Sequence, residues 1–131
     1  PMNLLPCTAV QKNSQMKIQL SPEWFLPVPD ITAQHIKPGQ KLIAGIRPDD
    51  IMLHNPKKTC PDEWKISGRV DVIEPLGNET HMHLNISGVK LTGICEGSKE
   101  VAAGKKVNLV CNAGNLLMFD EESEKSIISG K

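Results

Sequence analysis

Aromatic residues are scarce in this sequence. Its 131 residues include two tryptophans, two phenylalanines and no tyrosine. Small barrels that bind single-stranded nucleic acid present aromatic side chains on which the bases stack. The formal net charge is zero, so the sequence also lacks the excess of basic residues that drives binding to a phosphate backbone. The composition therefore argues against a nucleic-acid partner.

Close cysteine pairs are missing too. The four cysteines, Cys7, Cys60, Cys95 and Cys111, are scattered along the chain without a C-x-x-C motif. Structural zinc sites take their ligands from such close pairs. Neither a signal peptide nor an apolar run long enough to span a bilayer is evident. We therefore expect reduced cytosolic thiols, with no disulfide and no metal site.

Phosphate-binding and nucleophile motifs are also absent. A P-loop requires G-x-x-x-x-G-K-[ST], and the final Ser129-Gly130-Lys131 lacks the upstream glycine. No G-x-S-x-G elbow is present. The neighbouring acids Asp49 and Asp50 are more typical of a turn or a helix cap than of a catalytic carboxylate pair. The sequence therefore predicts no catalytic residue and no cofactor site.

Short alternating segments separated by glycine, proline and asparagine make up most of the chain. Their period of two and the intervening turn residues predict strands. The predicted strands cover residues 16–20, 41–46, 64–73, 80–86, 89–94, 106–111 and 115–119. Single helical turns are predicted at residues 47–51 and 31–36. This pattern predicts an all-β fold, a sandwich or a small barrel.

The alternation also predicts which side chains face the core. In the strand at 64–73, every second residue from Trp64 to Val72 forms the apolar face. Ser87-Gly88 separates the next two strands by two residues and predicts a tight hairpin.

Two histidines fall on one face of the strand at residues 80–86. His81 and His83 alternate there with apolar residues, a spacing that two imidazole ligands of a metal can have. The sequence offers no evident third ligand. We interpret both histidines as solvent-facing residues of a half-buried strand.

Two segments combine strand ends with turn residues, namely Gly45-Ile46-Arg47-Pro48-Asp49-Asp50-Ile51 and Glu74-Pro75-Leu76-Gly77-Asn78-Glu79-Thr80. Proline cannot donate to a strand ladder, so it ends or bulges a strand. Glycine permits a positive φ. Arg47 can pair with a carboxylate through two hydrogen bonds. The residues alone favour two structural corners of a barrel.

The order and spacing of these segments resemble the C-terminal regulatory domain of the ATP-binding subunits of sugar-type ABC importers, the maltose and glycerol-phosphate group. Pro1-Met2-Asn3-Leu4-Leu5 resembles the segment that enters this domain, and Leu116-Leu117-Met118-Phe119-Asp120 resembles its closing strand. The resemblance implies an OB-like small barrel of the TOBE or MOP type over residues 1–120. It also implies that this domain is a fragment of a larger subunit, with a flexible tail at 121–131.

The resemblance further implies a non-catalytic regulatory and dimerisation role in solute import, with a carbohydrate as the expected solute. The implied partners are a second copy of the ATPase subunit, the membrane subunits through the parent protein, and a regulatory protein. ATP and magnesium would bind a nucleotide-binding domain, whose Walker A, signature and Walker B segments this sequence lacks. The implied location is cytoplasmic, at the inner face of the cell membrane.

The expected ligand or interface residues come from the two turn segments. They are Arg47, Gly77, Glu79 and Thr80. An alternative to the regulatory role stays open, a module that binds a small ligand or an oxyanion through turn amides and the Arg47 guanidinium.

Overall fold

The computed structural model describes residues 1–96 and 101–127. Within them the chain forms mainly antiparallel strands. The strands are β1 (Asn3–Lys12), β2 (Gln15–Ser21), β3 (Trp24–Pro27), β4 (Lys41–Ile46), β5 (Ile51–Leu53), β6 (Lys65–Leu76), β7 (Glu79–Ile86), β8 (Val89–Glu96), β9 (Lys106–Cys111) and β10 (Leu117–Asp120). In these ranges no helix is sufficiently long and apolar to cross a membrane.

Two five-stranded sheets are built from these strands. The first sheet has the order β10-β4-β1-β2-β3, and the second has the order β5-β9-β6-β7-β8. One cluster of buried apolar side chains contains members from both sheets. The prediction of an all-β small barrel is therefore confirmed.

The short helical elements occur between strands. They are α1 (Asp30–Ala33) and 3₁₀ turns at Pro48–Asp50, Asp62–Trp64 and Ala113–Asn115. The first two confirm the turns predicted from sequence, and the last two were not predicted. Strands β1, β3 and β5 were also missed. In β1 the outward Leu4 and Pro6 are apolar as well as the inward residues, which hides the period of two.

Tight hairpins connect several neighbouring strands. Ser87 and Gly88 both have positive φ, 48° and 89°, which confirms the hairpin predicted between β7 and β8. Gly77 has a φ of 77° in the two-residue connection between β6 and β7. Glycine suits these positions because it has no β-carbon to clash in the left-handed region.

The expected inward position of Val72 is wrong. Val70 is fully buried, but Val72 is 54% exposed. The pairing of β6 with β7 shifts register between these residues, which inserts Asp71 as a bulge. One extra residue sends all following side chains to the opposite face of a strand. Ile73 therefore takes the inward place and packs against the core.

The second sheet curls until its outer strands meet. A β-carbon at Gly93 in β8 would lie 2.8 Å from the backbone oxygen of Ile51 in β5. Such a distance is too short for a real side chain. Glycine at this position lets the two strands approach and nearly closes the barrel.

The side chain of Asn3 forms hydrogen bonds with strands of both sheets. Asn3 Nδ2 donates hydrogen bonds to the backbone oxygens of Ile46, at 3.0 Å, and Thr92, at 2.9 Å. The backbone N–H of Thr92 donates to Asn3 Oδ1 at 2.8 Å. The Asn3 side-chain amide thus pairs with both backbone polar groups of Thr92, as the backbone of a neighbouring strand would. Strands β1, β4 and β8 are held together at this point.

The first residues of the predicted tail at 121–131 form hydrogen bonds with β10. The backbone N–H of Ile127 donates to the oxygen of Met118 at 2.7 Å. The backbone N–H of Ser123 and the side chain of Gln40 donate to Asp120 and lower the pKa of that carboxyl. Residues 128–131 lie outside the described part of the chain. The flexibility of the tail stays a prediction.

Three of the four cysteines are buried, namely Cys7, Cys95 and Cys111, and Cys60 is half-buried. Burial raises the pKa of Cys7 and of Cys111 to about 12. The thiolate is the nucleophilic form of cysteine, so neither of these two thiols is reactive in the folded chain near neutral pH.

We expect Asn3→Ala to lower the free energy of unfolding by about 2–3 kcal/mol. It removes three partly buried hydrogen bonds that each contribute about 1 kcal/mol, and it leaves backbone groups unpaired. Urea unfolding measures the change. Asn78→Ala is the control, because Asn78 is exposed in the hairpin turn; its effect should stay within about 0.5 kcal/mol. Equal stability of the two variants would contradict the role given to Asn3.

We expect iodoacetamide at pH 8 to alkylate Cys60 in the folded chain and to spare Cys7 and Cys111. The reason is the burial of the latter two thiols and their raised pKa. Peptide mass spectrometry reads out the sites, and the same reaction in urea is the control in which all four thiols react. Labelling of Cys111 as fast as Cys60 would show that the core opens readily.

Candidate functional site

The structure places the expected site residues in two separate regions. Gly77 and Glu79 are exposed at the β6–β7 hairpin, whereas Thr80 is 7% exposed and belongs to the interior. Arg47 follows β4 and is exposed at the start of a 3₁₀ turn. In the described part of the chain, no hydrogen bond, ion pair or strand pairing joins Arg47 to this hairpin. The involvement of these four residues in a ligand site or an interface stays a prediction.

The outward surface of the hairpin mixes apolar and charged groups. We call it the hairpin face; its members are Val72, Glu74, Leu76, Glu79, His81 and His83. The two apolar members are 54% and 49% exposed. Cross-strand pairing sets Val72 opposite His83, Glu74 opposite His81, and Leu76 opposite Glu79. The bulge at Asp71 lets Val72 face outward with this set although Val70 faces the core.

Each histidine of the hairpin face has a carboxylate within reach. His83 Nε2 lies 3.1 Å from Glu74 Oε1, and His81 Nε2 lies 3.6 Å from Glu79 Oε1. Among the residues that the structure describes, no group of three His, Cys, Asp or Glu side chains could hold a metal ion. The expected outward position of both histidines is confirmed by the burial of their neighbours Met82 and Leu84.

A cleft that sequence reasoning missed lies beside β5. Its volume is about 500 Å³, within the range typical of small-molecule sites. Its walls come from β5, the loop at residues 54–60, the 3₁₀ turn Asp62–Trp64, the end of β8 and the region around Asn112. No local pattern could have revealed it, because these segments are far apart in sequence.

The residues on either side of Trp64 in the chain, Glu63 and Lys65, each form an ion pair. Lys17 and Glu63 are 3.2 Å apart, and Lys65 and Asp62 are 3.0 Å apart. The hydrogen bond with Asp62 raises the pKa of Lys65. The ring also lies beside Gly114, where a β-carbon would be 3.7 Å from Cζ2. Trp64 is therefore positioned by its turn and remains half-buried.

The polar groups of the cleft have unused hydrogen-bonding capacity. Asn112 Oδ1 accepts the backbone N–H of Gly114 at 3.0 Å, while its Nδ2 carries no hydrogen bond to the described residues. The side chains of His54 and Lys58 likewise make no hydrogen bond or ion pair within residues 1–96 and 101–127. Both line the cleft, as does Glu96. The cleft thus offers donors and an acceptor around an apolar wall.

Comparison with known families accounts for both halves of the chain. The family model described as the MalK OB fold domain matches residues 1–51, and the TOBE domain model matches residues 44–119. The second match covers more than half of the chain.

Individual relatives agree with these matches. The chain is similar to the trehalose/maltose import ATP-binding protein MalK of Thermococcus litoralis, with 26% identity over 97% of this chain and 34% of that protein. It is also similar to the maltose/maltodextrin import ATP-binding protein MalK of Mannheimia succiniciproducens, with 36% identity over 68% of this chain and 23% of that protein. The chain thus spans about a third or less of these relatives.

A solved structure shares the fold. It is the cytoplasmic molybdate-binding protein ModG in a molybdate-bound form, with a TM-score of 0.70 and 14% identity. The superposition covers 88% of this chain and 94% of that one. The OB-like fold expected from sequence is thereby confirmed. Because the TOBE domain model matches more than half of the chain, the chain belongs to the TOBE domain family.

Proposed function

We propose that this chain is the regulatory and dimerisation domain of the ATP-binding subunit of a carbohydrate importer. The observation that carries the proposal is the consecutive match of the MalK OB fold and TOBE models from residue 1 to residue 119. The relatives named above are import ATP-binding proteins for trehalose, maltose and maltodextrin. In such a subunit the domain acts in the cytoplasm, at the inner face of the membrane.

The domain itself is proposed to catalyse no reaction. ATP and magnesium belong to the nucleotide-binding part of the subunit, which the family models matched here do not include. The high pKa of Cys7 and Cys111 also supports this view, because it removes two thiols as nucleophiles. The domain would instead act on its neighbours: a second ATPase subunit, the membrane subunits, and a regulatory protein.

Pairing of two copies is proposed to use the hairpin face. Val72 and Leu76 expose apolar surface there, and exposed apolar patches mark interaction sites. The same face carries two acidic side chains and two histidines. A two-fold axis brings the same surface of two copies into contact. Because this face carries carboxylates and imidazoles, the carboxylates of one copy can lie opposite the imidazoles of the other. The predicted interface residues Gly77 and Glu79 lie at its end.

We expect the chain to show a concentration-dependent monomer–dimer equilibrium that Val72→Asp shifts toward monomer by at least about tenfold. The two-fold axis would bring two new carboxylates into one apolar contact, and like charges at an interface are strongly unfavourable. Sedimentation equilibrium over a wide concentration range measures both proteins.

Leu4→Asp is the matched control, since Leu4 is 58% exposed on the first sheet and is not part of the hairpin face. It should pair like the unaltered chain. A monomer at every concentration, or loss of pairing in the Leu4 variant alone, would contradict the proposed surface.

The alternative, an oxyanion-binding module, has a specific observation in its favour. The Arg47 guanidinium is exposed and makes no ion pair within the described residues. A chain of the same fold is described as molybdate-binding. In this alternative the guanidinium and nearby turn amides hold the anion.

If the alternative holds, molybdate, tungstate or sulfate should raise the melting temperature by several degrees, because a ligand of the folded state stabilises it. Arg47→Ala should abolish the rise. Arg69→Ala is the control, as Arg69 is paired with Asp71 at 2.9 Å. Unchanged melting temperatures with all three anions would exclude this function.

A further inference from the structure

The cleft beside β5 has an apolar and aromatic wall. Met52 and Ile94 contribute aliphatic surface, and Trp64 contributes the indole. An indole presents a flat face with negative charge density, on which groups with weakly positive C–H bonds pack well. A flat ligand with C–H groups on one face would bury that surface against Trp64.

The rim of the same cleft is polar and balanced in charge. Lys58 is its cation and Glu96 its carboxylate, while His54 and Asn112 add groups that hydrogen-bond. A ligand that suits this rim must both donate and accept hydrogen bonds around its edge. It must also be close to neutral, because an anion would gain from Lys58 and lose to Glu96.

A neutral sugar has both of these properties. We propose that the cleft binds the pyranose ring of a neutral sugar, with one ring face against Trp64 and hydroxyl groups directed to Lys58, Asn112 and Glu96. Each hydroxyl both donates and accepts hydrogen bonds. A volume of about 500 Å³ accommodates a mono- or disaccharide within the usual range for such sites.

A sugar bound to this domain would let the sugar concentration regulate the ATPase subunit. The inference rests on the proposed function and extends it. It concerns a different surface from the hairpin face. Binding of sugar by a single copy needs no pairing, so a failure of sugar binding leaves the dimer test unaffected. Loss of pairing, conversely, leaves the cleft intact.

The experiment is calorimetric titration of the chain with glucose, maltose and trehalose up to roughly 10 mM, a range that detects millimolar dissociation constants. At least one of these sugars should bind saturably with one site per chain. Trp64 is half-buried and the other tryptophan, Trp24, is 1% exposed. Binding should therefore change the fluorescence of Trp64 in parallel with the heat.

Two variants and one control locate the site. Lys58→Met should weaken binding about tenfold, the effect of losing one hydrogen bond from a charged group. Lys57→Met is its matched control, because Lys57 is exposed in the same loop but does not line the cleft; it should bind like the unaltered chain. Trp64→Leu should weaken binding about threefold to tenfold by removing the aromatic face.

Three results would overturn the proposal. The first is no saturable binding of any of the three sugars. The second is binding that survives both Lys58→Met and Trp64→Leu unchanged, which places the sugar elsewhere. The third is binding of glucose 6-phosphate without binding of the neutral sugars, which would identify an anion site. Because Lys58 is exposed, its variant stays informative even if the Trp64 variant folds poorly.

Discussion

The side-chain amide of Asn3 reaches three backbone groups in strands of both sheets. It bonds Ile46 at the end of β4 and both polar groups of Thr92 in β8. Strand β8 lies at the edge of the second sheet, where unpaired backbone groups would otherwise meet solvent or another chain. The same contact fixes the distance between β4 and β8. The turn with Arg47 follows β4, and the end of β8 forms part of the cleft wall.

The two candidate surfaces depend on different local features of the backbone. The bulge at Asp71 lets Val70 face the core while Val72 faces outward on the hairpin face. Gly93 lets β8 close onto β5, so that the end of β8 forms a wall of the cleft. One surface exposes apolar groups among charged ones, as interaction sites do, and the other is a cleft with a polar rim, as a small ligand requires. In a domain that has both surfaces, ligand binding in the cleft can be coupled to subunit contacts at the hairpin face.

Much of the fold could be predicted from the sequence wherever one face of a strand is apolar and the other polar. In β7 the alternation of His81, Met82, His83 and Leu84 gave the strand, its inward face and its hairpin to β8 correctly. In β1 the prediction failed because Leu4 faces outward. The bulge at Asp71 depends on pairing between strands, so no local pattern marks it. The cleft and the Asn3 contact were missed because their residues meet only in three dimensions.

The Asn3 contact also bears on the order in which this domain folds. Asn3 and Thr92 are 89 positions apart, and β4 is flanked by β1 from the start of the chain and by β10 from its end. Closing such long loops costs entropy before any contact is gained, and folding is slow when pairings are distant in sequence. On a ribosome, the first sheet cannot be completed until β10 has emerged. Strand β4 must therefore wait, with one edge unpaired, until β10 follows it out of the ribosome.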